Sequence, residues 1–336
     1  MFSFKQNGSN RAILNDIANK INNSGIQHGH IKPEDNENSI VKPLVPKTDI
    51  NQNEMEIYKP LSKSPRDIDD AFFVTEYVTD IMGYLFHQED LYPISCKFLD
   101  QASDKIKEAR SRLVNCLVKA QIKFDLSQEV LFLMVQIMDR YLDLVPLENV
   151  DLVLLSACSF FIASKFDSRI GINLSIVNKM ATSTYTRSDI RQMEVNILNK
   201  LGFSLSKPIS LNFLRRFSIV SGVPNEEHIL AKYFLELSLL DFEFSVMKPS
   251  YVAASALCLT FRLFKRFEWS IRLEYESKYK MVDLRHGMQK LAQLVVKVNR
   301  TESEFQETYK KFKNARYFHL STCRELQGFE IREISN

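Results

Sequence analysis

The chain has 336 residues, of which 45% are hydrophobic and 25% are charged, and its formal net charge is only +3. This balance is that of a globular protein of about two domains, and so small a net charge predicts no nucleic-acid partner and no membrane partner. With nine glycines and ten prolines against 24 phenylalanines, the composition favours helices over sheets. The five cysteines are scattered without a CxxC pair, which indicates no zinc site and no disulfide framework and predicts a reducing compartment.

The N-terminal part of the chain differs in composition from the rest. Residues 1–66 are rich in Asn, Lys, Pro and Ser, and aromatic residues are absent between Phe4 and Tyr58. Because such a segment buries too little apolar surface to offset its ordering entropy, we expect a disordered tail. Residues 67–102 are predicted to hold an N-terminal helix and a linker, since apolar residues recur near a 3.6-residue period after the acidic cluster at Asp67.

Residues 103–205 are predicted to form a five-helix domain. A capping signal at Ser127 and the proline at Pro146 bracket the second helix, and Gly202 ends the fifth. The third helix is apolar nearly all round, too short to span a bilayer, and therefore expected at the centre of the domain. The predicted helices are about Ser103–Phe124, Ser127–Leu144, Leu147–Phe166, Asn173–Ala181 and Ser188–Leu201.

Residues 206–325 repeat this plan, and residues 326–336 are assigned to a tail. A second apolar helix, Tyr251–Phe264, holds the same place in its half as Leu147–Phe166 does in the first. The other predicted helices of this half are about Leu211–Ser221, Glu226–Leu240, Arg285–Arg300 and Ser303–Lys313. The expected fold is all-α, with two tandem five-helix domains behind an N-terminal helix.

Motifs of catalysis are missing from the sequence. It contains no GxxxxGK, GxGxxG, GxSxG or HExxH, and the HxH pair His28 and His30 has no third ligand nearby. The chain is therefore not expected to be an enzyme, and no cofactor or metal is expected.

Four charged residues stand out because they fall within apolar helices. Arg110 and Asp139 lie near the inward faces of their helices, and each is the simplest partner for the other, since an unpaired buried charge costs several kcal/mol. Lys165 ends the most apolar helix and Glu194 lies within the fifth. Spacing alone favours a snorkelling lysine and a solvated carboxylate; the alternative is a pair on one surface that binds a partner's backbone groups.

Longer strings carry a family resemblance. Phe161-Ile162-Ala163-Ser164-Lys165-Phe166, Ile190-Arg191-Gln192-Met193-Glu194 and Leu211-Asn212-Phe213-Leu214-Arg215-Arg216 resemble B-type (G2/mitotic) cyclins of the cyclin A/B family, and the likeness extends from about residue 70 onwards. The cyclin box is further matched by Arg110, Asp139 and Leu154, which the resemblance implies to be structural. It also implies a regulatory subunit that binds and allosterically activates a cyclin-dependent kinase at the G2/M transition. The implied kinase-binding residues are Lys165, Glu194, Phe166 and Phe203, with added contacts from the helix near 70–87.

Two departures from the cyclin pattern concern binding surfaces. Where cyclins carry a Met before the Arg of this motif and a Trp after its Leu, this chain has Ala109 and Cys116 while Leu113 remains, so the substrate-docking patch is degenerate and weak docking is expected. Asp167-Ser168 replaces a usual Glu-Glu after Lys-Phe, which removes one acidic contact to the kinase.

The tail carries a separate signal. Arg11, Leu14, Ile17 and Asn19 form the pattern RxxLxxIxN in an accessible segment, which suits docking as an extended peptide. The pattern resembles the destruction box of mitotic cyclins, which the anaphase-promoting ubiquitin ligase reads, and Lys20 and Lys32 are candidate ubiquitin acceptors.

Two other interpretations remain open. One is a nucleic-acid-associated cyclin-fold factor like the general transcription factor IIB, against which the near-neutral charge and the absence of CxxC pairs speak. The other is a diverged cyclin that binds a kinase without activating it. The resemblance also implies shuttling between cytoplasm and nucleus.

Overall fold

The computed structural model describes residues 77–95, 100–168, 171–181, 185–265, 268–300 and 303–336. Within these ranges the chain is helical and has no strand, as the composition predicted. The tail, including the RxxLxxIxN pattern, and the predicted helix start near Asp67 lie outside the described residues.

The first domain follows an N-terminal helix and contains five helices. Its central helix, α4, packs against α2, α3, α5 and α6, and its Leu155, Cys158 and Phe160 are fully buried. The elements are α1 (Val78–Leu91), α2 (Asp104–Lys123), α3 (Gln128–Asp143), α4 (Leu152–Asp167), α5 (Leu174–Met180) and α6 (Arg187–Lys200).

Helix α4 begins five residues later than the sequence predicted. Leu147–Asn149 form a short 3-10 turn instead. The Asp151 side chain then accepts hydrogen bonds from the backbone N–H groups of Val153 (3.1 Å) and Leu154 (3.0 Å). Such an N-cap satisfies the first free donors of the helix and sets its start.

The second domain is built around α9, which packs against α7, α8 and α11. Its elements are α7 (Ser210–Ser221), α8 (Asn225–Ser238), α9 (Pro249–Phe264), α10 (Ile271–Ser277), α11 (Arg285–Val298), α12 (Glu307–Phe312), α13 (Arg324–Gln327) and α14 (Phe329–Ser335). The predictions omitted α10, which is capped by the Ser270 side chain. The assigned tail 326–336 contains α14, which packs on α11 through the buried Ile331.

Polar contacts join the two domains. Lys311 of α12 forms a buried ion pair with Glu236 of α8, and Gln121 and Gln128 of the first domain bond to the same two side chains. Since these groups are removed from water, only this mutual pairing makes their burial tolerable. The domains are thereby held in a defined arrangement.

Helix α1 is anchored mainly to the second domain. The buried Glu89 carboxylate accepts hydrogen bonds from the N–H (3.0 Å) and the hydroxyl (2.6 Å) of Ser250 and thus caps α9 from outside that helix. The Phe86 ring centroid lies 5.1 Å from that of Phe213 on α7. This attachment orients the outer face of α1.

Candidate functional site

The predicted pair Arg110 and Asp139 lies in the core. Nε and Nη2 of Arg110 donate to the two carboxylate oxygens of Asp139, both at 2.6 Å, and Nη1 donates to the Leu239 carbonyl of the second domain at 2.9 Å. The two side chains are only 1% and 4% exposed. The pair therefore links α2, α3 and the second domain.

Leu154 is held where α4 begins. Its side chain is partly buried against the core, and its N–H belongs to the Asp151 cap. The second Asp151 oxygen accepts a hydrogen bond from the Tyr185 hydroxyl at 2.5 Å. Burial, and then the Asp151 charge, raises the pKa of Tyr185, so this hydroxyl keeps its proton and fastens the approach to α6 onto the start of α4.

Lys165 and Glu194 come together at the surface. They form an ion pair between the end of α4 and the middle of α6, with side chains 41% and 15% exposed. The Lys165 Nζ also lies 3.9 Å from the centroid of the Phe161 ring. A reciprocal capping box between Thr186 and Asp189 sets the start of α6 and hence the register of Glu194.

Large exposed apolar side chains lie close in sequence to this pair. Phe166 follows Lys165 and is 52% exposed, and Val195 follows Glu194 and is 50% exposed. Phe203, 67% exposed, is held by a hydrogen bond from its N–H to the carbonyl of Leu198, one turn beyond Glu194. We call Lys165, Phe166, Glu194, Val195 and Phe203 the α4–α6 face. Sequence reasoning missed Val195, because a valine amid apolar residues of a helix is more often buried.

Phe203 adopts a left-handed backbone with φ of +57°. A bulky side chain in this region costs about 1–2 kcal/mol, which glycine would avoid. Gly202, which lies one residue earlier and two residues beyond the end of α6, is also left-handed with φ of +56°. This turn follows α6 and leaves the Phe203 ring exposed to solvent.

Helix α1 adds a second exposed apolar surface. Tyr77, Ile81 and Tyr84, spaced by four and three residues, are 57%, 48% and 59% exposed. This spacing puts them on one side of the helix, while Met82 and Phe86 face the core. The contribution expected from the helix near 70–87 therefore rests, within the described residues, on this stripe.

The residues of the predicted docking patch are buried to different degrees. Leu113 is only 1% exposed and belongs to the core. Ala109 and Cys116 are partly buried, and burial raises the pKa of the Cys116 thiol to about 11. Asn115 beside it exchanges hydrogen bonds with the backbone of Glu304 and Glu307, so the second domain lies against this part of α2.

In the described part of the chain, no group of three or more His, Cys, Asp and Glu residues is arranged to hold a metal ion. No helix in the same ranges has the length and apolarity needed to cross a membrane.

Comparison with known proteins bears on the two-domain architecture. Family models of the cyclin N-terminal and C-terminal domains match residues 80–206 and 208–326. The X-ray structure of a viral cyclin from herpesvirus saimiri superposes with a TM-score of 0.57 at 19% identity, covering 68% of this chain and 99% of that chain. The class that emerges is a tandem pair of cyclin domains.

Similarity to known proteins indicates which group of cyclins the chain belongs to. The G2/mitotic-specific cyclin-B of Patella vulgata is 33% identical over 291 residues, covering 85% of this chain and 71% of that protein. The G2/mitotic-specific cyclin-B2 of Macaca fascicularis is 30% identical over 363 residues, covering 97% and 91%. The chain belongs to the cyclin family, among the B-type, G2/mitotic members.

Proposed function

We propose that this chain is the regulatory subunit of a mitotic cyclin-dependent kinase and has no catalytic activity of its own. The observation that carries the proposal is the Lys165–Glu194 pair, brought to the surface from two helices. A partly exposed ammonium and carboxylate can bond to the free backbone groups at the end of a partner helix. The exposed Phe166 and Phe203 supply apolar area beside them.

The mechanism is a population shift of the kinase. Moving a two-state equilibrium from 1:99 to 99:1 requires a difference in binding free energy of about 5.5 kcal/mol. A few interface residues that each contribute about 2 kcal/mol suffice, and the α4–α6 face presents five candidates. The chain activates the kinase because it binds the active arrangement of the kinase's regulatory helix more tightly than the inactive arrangement.

The test is phosphorylation of a histone substrate by purified monomeric mitotic kinase, titrated with the full chain. The informative variant is Lys165→Ala/Glu194→Ala, which should raise the half-maximal activating concentration at least about tenfold. The matched control is Lys265→Ala/Glu330→Ala, which removes another surface ion pair from the second domain. Equal loss in both variants would mean that the α4–α6 face is not the site.

A pull-down with the kinase distinguishes an activating subunit from a diverged cyclin that binds the kinase without activating it. If the folded chain binds the kinase but leaves its activity unchanged, the chain is a diverged cyclin without activating power, for which the Asp167-Ser168 change is the first candidate cause. If it neither binds nor activates any mitotic kinase, the regulatory-subunit proposal is wrong.

We further propose that the anaphase-promoting ubiquitin ligase destroys the chain through Arg11, Leu14, Ile17 and Asn19. The support is the RxxLxxIxN pattern in a tail of low apolar content. Arg11→Ala/Leu14→Ala should abolish ubiquitination by the purified ligase, and undiminished ubiquitination would contradict the assignment. Shuttling between cytoplasm and nucleus is proposed on the resemblance alone, and live imaging of a fluorescent fusion while nuclear export is blocked tests it.

A further inference from the structure

Helix α9 begins without an N-cap of its own. The residue before it, Lys248, makes no side-chain cap, and its first residue is Pro249, which has no backbone N–H. The first backbone donor of the helix is therefore the N–H of Ser250, a fully buried residue. Glu89 of α1, 161 positions away in the chain, accepts that hydrogen bond at 3.0 Å. The start of the second domain's central helix thus depends on a side chain that α1 supplies.

The Glu89 carboxylate ends a short chain of hydrogen bonds. Glu89 is 6% exposed, and it also accepts a hydrogen bond from the Ser250 hydroxyl at 2.6 Å. Because that hydroxyl gives its single hydrogen to Glu89, the Tyr279 hydroxyl, 2.8 Å away, is the donor to Ser250. Burial raises the pKa of Tyr279 to about 12, so this hydroxyl keeps its proton. Hydrogen bonds linked in this way polarise and strengthen one another.

Other contacts between α1 and the second domain are less directional. Met82 and Phe86 are buried apolar side chains of α1, and apolar burial sets no direction. The ion pair between Asp90 and Lys248 is more than half exposed on both sides and is therefore weak. Since hydrogen bonds require a defined geometry, the buried Glu89 carboxylate is the contact best suited to fix the rotation of α1 about its axis.

The rotation of α1 decides where its exposed stripe points. Tyr77, Ile81 and Tyr84 are exposed on the helix whose other side is buried. An α-helix turns by about 100° per residue, so a small rotation moves a whole row of side chains. The stripe reaches roughly 18 Å along α1 from Glu89, at 1.5 Å per residue. A tilt at Glu89 is therefore magnified at Tyr77.

We propose that Glu89 is a positioning residue for kinase binding, which holds Tyr77, Ile81 and Tyr84 in the orientation that meets the kinase without touching the kinase itself. This inference rests on the proposed function of the chain as a kinase-binding subunit. It gives the second domain a part in kinase binding that is exerted through Ser250 and α1. Side chains held in place before binding lose less entropy when they bind, so the anchor increases the affinity for the kinase.

The test combines the histone-phosphorylation titration of the full chain with amide hydrogen exchange of the full chain without kinase. Glu89→Ala should raise the half-maximal activating concentration at least about fivefold. It should also speed exchange across α1 and leave exchange in α4 unchanged. Ser250→Ala, which removes one of the two hydrogen bonds, should act in the same direction. The matched control is Ile331→Ala, which opens a cavity where α14 packs on α11 and should change neither the activating concentration nor the exchange of α1.

Combined variants show whether Glu89 acts through the stripe. If it does, adding Glu89→Ala to Ile81→Ala/Tyr84→Ala should raise the activating concentration by less than about a further twofold. Adding it to Lys165→Ala/Glu194→Ala should multiply the two effects. Unchanged activation by both variants of the anchor, or a full extra effect on top of the stripe variant, overturns the inference. A natural chain that neither binds nor activates a mitotic kinase would overturn the proposed function, and hydrogen exchange would still report whether Glu89 anchors α1.

Discussion

Removing one partner of the buried Arg110–Asp139 ion pair should destabilise the protein strongly, because the other partner is left as an unpaired buried charge. Asp139→Ala deletes two hydrogen bonds of 2.6 Å and leaves the guanidinium 1% exposed. The remaining contacts are the bond to the Leu239 carbonyl and the Phe242 ring, whose centroid is 5.6 Å from the Arg110 Cζ. Neither supplies a countercharge, so the cost should be about 3–5 kcal/mol, a large part of the roughly 5–15 kcal/mol that stabilises a typical domain.

Urea unfolding of the full chain, followed by circular dichroism, measures this cost as a shift of the midpoint. Arg110→Met/Asp139→Leu serves as the second variant, because it leaves no buried charge and should lose less than Asp139→Ala alone. Lys310→Ala, which breaks an exposed ion pair, should change the free energy of unfolding by less than about 0.5 kcal/mol. A loss below about 1 kcal/mol for Asp139→Ala, or a larger loss for the double variant, would refute the reasoning.

Three further predictions concern strain, packing and titration. Phe203→Ala should raise the half-maximal activating concentration for the kinase about tenfold or more, whereas Phe318→Ala, an exposed phenylalanine with the same left-handed backbone in the second domain, should not. Gly287→Ala should lower the melting temperature, costing about 1–3 kcal/mol, because a β-carbon there overlaps a serine hydroxyl of α9; Gly83→Ala, with open space around it, should raise the melting temperature. Burial and neighbouring positive charges lower the pKa of His228 to about 4. As the pH falls from 6.5 to 4, the unfolded state takes up a proton that the folded state does not, so the free energy of unfolding should fall by up to ~3 kcal/mol. His228→Gln should flatten that part of the profile of urea midpoint against pH.

Most of the helices were predictable because their signals are local. The 3.6-residue period, the Ser127 cap and the glycine at 202 act over a few residues, and the structure has α3 and α6 within two residues of the predicted bounds. Helices α10 and α14, of seven residues each, were missed. Their formation depends on what they pack against, which no local pattern records.

The candidate site was predictable only in part. The residue types and spacings of Lys165 and Glu194 carry the family resemblance, but on spacing alone a solvated pair of separate charges was the favoured interpretation. Their contact joins residues 29 positions apart. Only the packing of α4 against α6 makes that contact.

The sequence by itself determined the helical class, the two central apolar helices and the need for Arg110 and Asp139 to pair, because each follows from composition, period or the cost of a buried charge. The tertiary structure alone decided which side chains remain exposed. It buried Leu113, although its motif resembles a docking patch, and it left Val195 in solvent. It also placed Lys207 where burial, and then the charge of Arg140, lowers the pKa of that lysine. The exposure of a side chain and the charges around it depend on its neighbours in space. Those neighbours come from segments that are far away in sequence.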